Sequence, residues 1–133
     1  MKAIKPYYEI LNYTDLELIE SAGRTCYKSE DKITDDSAPK FVNGLIKREH
    51  EAMIEHSSMT VRFICDRGVS HELVRHRLAS FAQESTRYCN YSQDKFGNEL
   101  TFILPPFLDT EYKKATWESA MSNAEMSYFH MLE

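Results

Sequence analysis

The feature that most limits the folds open to this chain is its last stretch. There Trp117, Met121, Ala124, Tyr128 and Met131 recur at steps of three and four residues. That spacing gathers them on one side of a helix predicted over about Asp109 to Leu132, with Pro105-Pro106 as a stop upstream. Such a stripe must be covered by another layer or by a second subunit. Core packing or subunit contact is therefore its expected role, rather than contact with a cofactor.

The remaining chain offers shorter elements. Tyr7-Tyr8-Glu9-Ile10-Leu11 reads as a first strand. Thr14-Asp15-Leu16-Glu17 reads as a capping box, with Thr14 the cap of a helix over about residues 15 to 26 that carries Leu16, Ile19 and Ala22. Residues 28–36 are polar and read as a loop. Ser37 is the expected cap of a second helix, with Pro39 in its first turn, carrying Phe41, Val42, Leu45 and Ile46 to about Glu49. Met59, Val61, Phe63 and Cys65 alternate with Ser58, Thr60, Arg62 and Ile64, which predicts a strand with one better-buried face, ended by Asp66-Arg67-Gly68. A helix from about Val69 to Ala79 would place Glu72 and Arg75 on one side. Ser80 to Ser92 reads as a functional loop and Leu100 to Leu104 as a short strand. Strands and helices do not alternate strictly, so the expectation is α+β rather than doubly wound: one domain over 1–133, with a small mixed or antiparallel sheet, several helices and a long C-terminal helix.

A net charge of −5 over 133 residues argues against a nucleic-acid or membrane binder held by bulk electrostatics. No stretch is apolar enough to cross a bilayer, and the first residues lack a signal-peptide core, so a cytoplasmic protein is expected. Cys26, Cys65 and Cys89 are odd in number and widely spaced, and they read as reduced thiols. Positive charge is local instead. From Arg62 to Arg87 there are five arginines against three acids.

Within that region lies the run Arg75-His76-Arg77-Leu78-Ala79-Ser80-Phe81-Ala82-Gln83-Glu84-Ser85-Thr86-Arg87-Tyr88. A guanidinium presents a planar fork of donors that matches phosphate or carboxylate oxygens two at a time. Packing several forks together is costly unless an anion lies between them. With Ser85, Thr86 and Gln83 alongside, the run points to a site for a phosphate-bearing small molecule, against the plainer reading of a solvated helix face.

Arg-His-Arg, seven residues and then Ser resembles the signature of the flavin-dependent thymidylate synthases, also described as thymidylate synthase complementing proteins. Residues Ala22-Gly23-Arg24-Thr25-Cys26-Tyr27, His50-Glu51-Ala52-Met53-Ile54-Glu55-His56 and Val69-Ser70-His71-Glu72-Leu73-Val74 resemble neighbouring blocks of that family, in order. The resemblance implies methylation of dUMP to dTMP, with methylenetetrahydrofolate as carbon donor and FAD reduced by NADPH as hydride source. It implies FAD contacts at Ala52, Arg75, His76, Arg77 and Gln83. It implies a dUMP site from Glu72, Leu73, Val74, Arg75, Gln83, Glu84, Ser85, Thr86 and Arg87, with Arg87 and Ser85 on the phosphate. It further implies a homotetramer with shared sites, no nucleic-acid or membrane partner, no metal, and no protein nucleophile. Two positions depart from the pattern: Ala52 stands where members often have Ser or Thr, and Glu72 where some have Gln.

Other chemistries compete for the same residues. His50-Glu51 with His56 approaches a zinc-protease motif, but Ile54 occupies the position that needs the second histidine. Cys89 has no base placed beside it by any pattern, and Ser85 would need one to attack a uracil ring. Tyr88, Tyr91 and Phe96 with Arg87 could stack single-stranded bases, against the net acidity. Members of the resembling family are longer and carry further arginines distally, whereas no arginine follows Arg87 here. The alternatives to the full enzyme are therefore a truncated nucleotide- or flavin-binding module without turnover, or one part of a split enzyme.

Overall fold

A computed structural model describes residues 1–132. In chain order its elements are β1 (Lys2–Ile4), β2 (Tyr7–Tyr13), α1 (Leu16–Thr25), α2 (Ser37–Lys47), β3 (Met59–Ile64), α3 (Arg67–Leu73), β4 (Thr101–Ile103) and α4 (Glu111–His130). Single 3-10 turns lie at Glu30–Lys32, Glu51–His56 and Asp94–Phe96. The class is α+β, as expected, with the strands in two separate pairs. The chain divides into one unit of Tyr8–Arg62 and another of Met1–Tyr7 with the residues from Phe63 onward.

In the first unit β2 pairs with β3. Thr14 meets Ser58 while Glu9 meets Arg62, so the strands run in opposite directions. The Thr14 amide donates to the Ser58 carbonyl at 2.9 Å, and the Ser58 amide donates to Thr14 Oγ1 at 3.1 Å. Thr14 is thereby occupied by the strand pair and does not cap α1. Asp15, one residue on, takes that place and accepts from the Leu18 amide at 3.4 Å. The better-buried face expected of β3 is also absent. Val61 and Ile64 are half-buried, whereas Met59 and Phe63 are more than half exposed. A two-stranded ribbon supplies no layer to cover either face.

The core of this unit is Ile19 from α1 with Val42 and Leu45 from α2, flanked by half-buried Phe41 and Met53. The ordinary helical spacing of these residues made both helices readable in advance. What the spacing leaves out is how closely the helices approach. A Cβ on Gly23 would fall 2.6 Å from Cε1 and 2.9 Å from Cζ of Phe41, so α1 lies on the Phe41 ring because position 23 has no side chain. Ser37 is the first residue of α2 rather than its cap, which is Asp36. The Ser37 hydroxyl instead donates to Glu20 at 2.6 Å.

In the second unit β1 and β4 pair in parallel, with Lys2, Ala3 and Ile4 opposite Thr101, Phe102 and Ile103. The Leu104 amide closes the ladder on the Ile4 carbonyl at 2.7 Å. Pro105-Pro106 can donate nothing further, which ends the strand. α4 begins at Thr110, whose side chain accepts from the Lys113 amide at 3.2 Å. Pairs Asp109–Lys113 at 2.7 Å and Glu111–Lys114 at 2.8 Å brace its first turns. Trp117 meets Phe102 edge to face, with ring centres 6.5 Å apart. Glu125 accepts from the Leu100 amide at 2.8 Å and pairs with the Met1 amino group at 2.7 Å, whose hydrogen bond holds the carboxyl below the usual carboxylate range.

The inward face of α4 is therefore Trp117, Met121, Glu125 and Tyr128, all half-buried. Ala124 and Met131 of the expected stripe are exposed instead. A glutamate that pairs with an amide and an ammonium serves at that position as well as an apolar residue would.

The Gly23 contact yields a direct expectation. Gly23→Ala should lower stability by about 1–3 kcal/mol, the usual cost of inserting a methyl into a packed contact. An unchanged urea midpoint would show that Phe41 yields freely.

Candidate functional site

Asp66 caps α3, accepting from the Val69 amide at 3.0 Å. The helix stops at Leu73, six residues short of the expected Ala79. Val74 caps its end, the Val74 amide donating to the Ser70 carbonyl, and five residues beyond Leu73 the backbone of Leu78 is left-handed at φ +64. Glu72 and Arg75 lie on one side, as their spacing required, with Arg75 Nη1 3.2 Å and 3.4 Å from the two carboxylate oxygens. Both side chains are about three-quarters exposed (74% and 73%), so the pair is worth little to stability and leaves most of the guanidinium edge open. Val74, His76 and Arg77 are exposed in the turn that follows, and Leu73 is half-buried.

The segment after Leu78 has no regular structure until Asp94–Phe96. Gln83 donates its side-chain amide to Ser70 Oγ on α3 at 2.6 Å. Residues 85–89 form one tight turn, in which the amides of Tyr88 and Cys89 donate to the Ser85 carbonyl at 3.3 and 3.1 Å. The Arg87 amide donates to Ser85 Oγ at 3.2 Å. Arg87 lies with Cζ 5.8 Å from the centre of the Tyr88 ring and forms no ion pair among the described residues. Tyr91 donates its hydroxyl to Glu84 across the base of this loop. The carboxylate partner, with burial and nearby acids, pushes the Tyr91 phenol up to about 12, so it stays a neutral donor. Glu84, Thr86 and Arg87 are exposed, and Ser85 is half-buried.

Within this segment Gln83 meets Ser70, Arg75 meets Glu72 and the Arg87 amide meets Ser85. Ala52 belongs elsewhere. It lines a cavity of about 880 Å3 within the first unit, whose walls include Arg24, Tyr27, Phe41, Arg48 and Met53. None of the residues 72–87 lines that cavity.

One wall of the cavity rests on a group that sequence reasoning missed. Glu20 is 1% exposed, the most completely buried charged residue described. Its Oε1 accepts from Nε and Nη2 of Arg24 at 3.0 and 2.8 Å, and its Oε2 accepts from the Ser37 hydroxyl. Arg24 in turn lies over Phe41, 4.4 Å from the ring centre. Burial pushes the Glu20 carboxyl up, but the Ser37 hydroxyl and the Arg24 guanidinium outweigh it and hold it below the usual carboxylate value. The signal was present as a glutamate four residues before an arginine, the spacing of neighbours on a helix.

The sequence is similar to those of known proteins. The family model described as thymidylate synthase complementing protein matches residues 9–133. The flavin-dependent thymidylate synthase of Clostridium tetani (strain Massachusetts / E88) is 31% identical over 132 residues, covering 90% of this chain and 50% of the relative. That of Pyrococcus abyssi (strain GE5 / Orsay) is 31% identical over 136 residues, covering 93% of this chain and 54% of the relative. That of Corynebacterium diphtheriae is 35% identical over 102 residues, covering 74% and 38%. The chain belongs to the thymidylate synthase complementing protein family. It spans about half the length of the curated relatives it matches.

Glu20 makes the stability of the first unit depend on acid. Its folded value lies below its unfolded one, so its contribution is complete above the ordinary carboxylate value and is lost as pH falls through the folded value. Glu20→Gln should cost about 2 kcal/mol near neutral pH, since it leaves the Arg24 charge half-buried without its counterion. It should also flatten the acid limb of stability against pH. Equal acid limbs for the two proteins in urea titrations would remove Glu20 from this role.

Proposed function

We propose that this chain carries the N-terminal and central part, within one domain, of a flavin-dependent thymidylate synthase that methylates dUMP to dTMP. The reading gives the enzyme methylenetetrahydrofolate as carbon donor and NADPH as the source of reducing power. The observation that carries it is the signature itself, Arg75-His76-Arg77 with Ser85 and Arg87 downstream, inside a chain that the family model matches from residue 9 onward.

The residues present suit two anionic ligands. Arg77 and Arg87 have no acidic partner among the described residues, and Arg75 commits one nitrogen to Glu72. Their remaining N–H groups are available for phosphate or for the polar edge of a heterocycle. In this reading Arg75, His76, Arg77 and Gln83 hold FAD, with Ala52 meeting it through its backbone. Glu72, Leu73, Val74 and Arg75 with Gln83, Glu84, Ser85, Thr86 and Arg87 surround dUMP. Arg87 and the Ser85 hydroxyl grip its phosphate, and Glu72 turns toward ribose hydroxyls rather than phosphate. Bound FAD supplies the hydride that reduces the transferred one-carbon unit. The protein's part is to orient the pyrimidine, to neutralise the phosphate and to keep water out.

FAD sites shared between subunits of a homotetramer, in the cytoplasm, complete the proposal. Among the described residues no helix is long and apolar enough to cross a membrane. A second reading of the same residues is a nucleotide- or flavin-binding module without turnover, or one part of a split enzyme.

Purified protein that is yellow and is bleached by NADPH in the presence of dUMP is the outcome expected of the enzyme. Flavin that binds and is never reduced would instead select the module. Arg87→Lys should weaken dUMP binding about tenfold, because an ammonium cannot reproduce the fork. An unchanged dUMP titration would take Arg87 out of the phosphate site.

A further inference from the structure

The turn at residues 85–89 belongs to no helix or strand, so something else must fix it. On one side Gln83 ties it to Ser70 of α3 at 2.6 Å. On the other side the connection runs to α4 through a single hydroxyl. Tyr128 Oη accepts from the Tyr91 amide at 3.2 Å and donates to Asn90 Oδ1 at 3.4 Å. Asn90 Oδ1 also accepts from the amide and hydroxyl of Ser92 at 3.0 and 2.8 Å. Tyr91 then reaches back across the loop to Glu84, seven residues earlier, and its ring lies 5.4 Å from that of Phe96 and 6.5 Å from that of Tyr128.

Together these bonds form one chain. Tyr128 uses its oxygen as acceptor and its proton as donor, which is the full capacity of a phenol in this setting. A tyrosine retained only for packing would have no need of either. The two bonds converge on Asn90 and Tyr91, immediately after the turn that holds Ser85 and Arg87, while the Tyr91 hydroxyl holds Glu84 immediately before it. The loop is thus closed at its base and anchored to α4 at one atom.

We propose that Tyr128 is a positioning residue for this site: acting through Asn90 and Tyr91, its hydroxyl holds the turn that presents Ser85 and Arg87 to the ligand's phosphate. The inference rests on the reading of that turn as the dUMP phosphate grip, and it adds a residue from α4, more than forty positions from the signature.

The test is Tyr128→Phe in the whole chain, which removes one oxygen and keeps the ring. Hydrogen exchange of residues 85–92, dUMP titration calorimetry and thermal unfolding are read on the same protein. Exchange at the Tyr91 amide should rise and dUMP affinity should fall, each about fivefold as expected for one neutral hydrogen bond, with exchange along α4 and the unfolding midpoint unchanged. Asn90→Ala cuts the same chain from the loop side and serves alone should the first variant fail to fold. The double variant should be no worse than the worse single, since both act through one path. Wild-type exchange in 85–92 together with wild-type dUMP affinity would overturn the proposal. So would a uniform rise in exchange across α4 and β4, which would make Tyr128 a packing residue. Wild-type protein that binds no dUMP would overturn the dUMP reading instead, and exchange at the Tyr91 amide then decides the role of Tyr128 by itself.

Discussion

The buried carboxylate of Glu20 is the constraint on which the organised half of this molecule depends. A charge with 1% exposure is tolerable only where it is paired and hydrogen-bonded, and here Arg24 donates two bonds and Ser37 one. The consequences extend through the unit. Ser37 is turned away from capping its own helix, Arg24 is held over Phe41, and Phe41 in turn requires a glycine at position 23. Five residues from two helices thus have one mutually acceptable arrangement, which an apolar pair alone would not specify. The cavity wall containing Arg24 and Phe41 follows from that arrangement.

The arginine-rich segment is organised on a different principle. Nothing in it is deeply buried, and its one ion pair is exposed on both sides. Its order comes from hydrogen bonds to neighbouring elements: Gln83 to α3, Tyr91 and Asn90 to α4, and the Ser85 turn to itself. Such a segment keeps its donors accessible to a ligand, because they are not spent on internal acids.

Much of this was readable in advance, and the failures have specific causes. α1, α2 and α4 follow periodic apolar residues and were placed within a few positions. The Glu72–Arg75 pair followed from helical spacing. Strand β1 was missed because three residues, Lys2-Ala3-Ile4, carry no local pattern and become a strand only through a partner about one hundred positions away. The expected α3 is too long because nothing in the local pattern of Arg75 to Ala79 forbids helix. Thr14 is not the cap because its hydroxyl has a competing partner at Ser58. The polar roles of Glu20 and Tyr128 depend on partners in other segments, Ser37 for the one and Asn90 and Tyr91 for the other.

The sequence by itself determined the family, the helical spans and the identity of the cationic donors, because those are carried by residue type and by short-range spacing. Only the tertiary structure decided which polar groups satisfy one another, that Ala52 lines a cavity with Arg24 and Phe41, and that the loop is hydrogen-bonded to Tyr128 of α4. Hydrogen bonds between distant positions are set by where chain segments meet, and that meeting is governed by packing that no local pattern encodes.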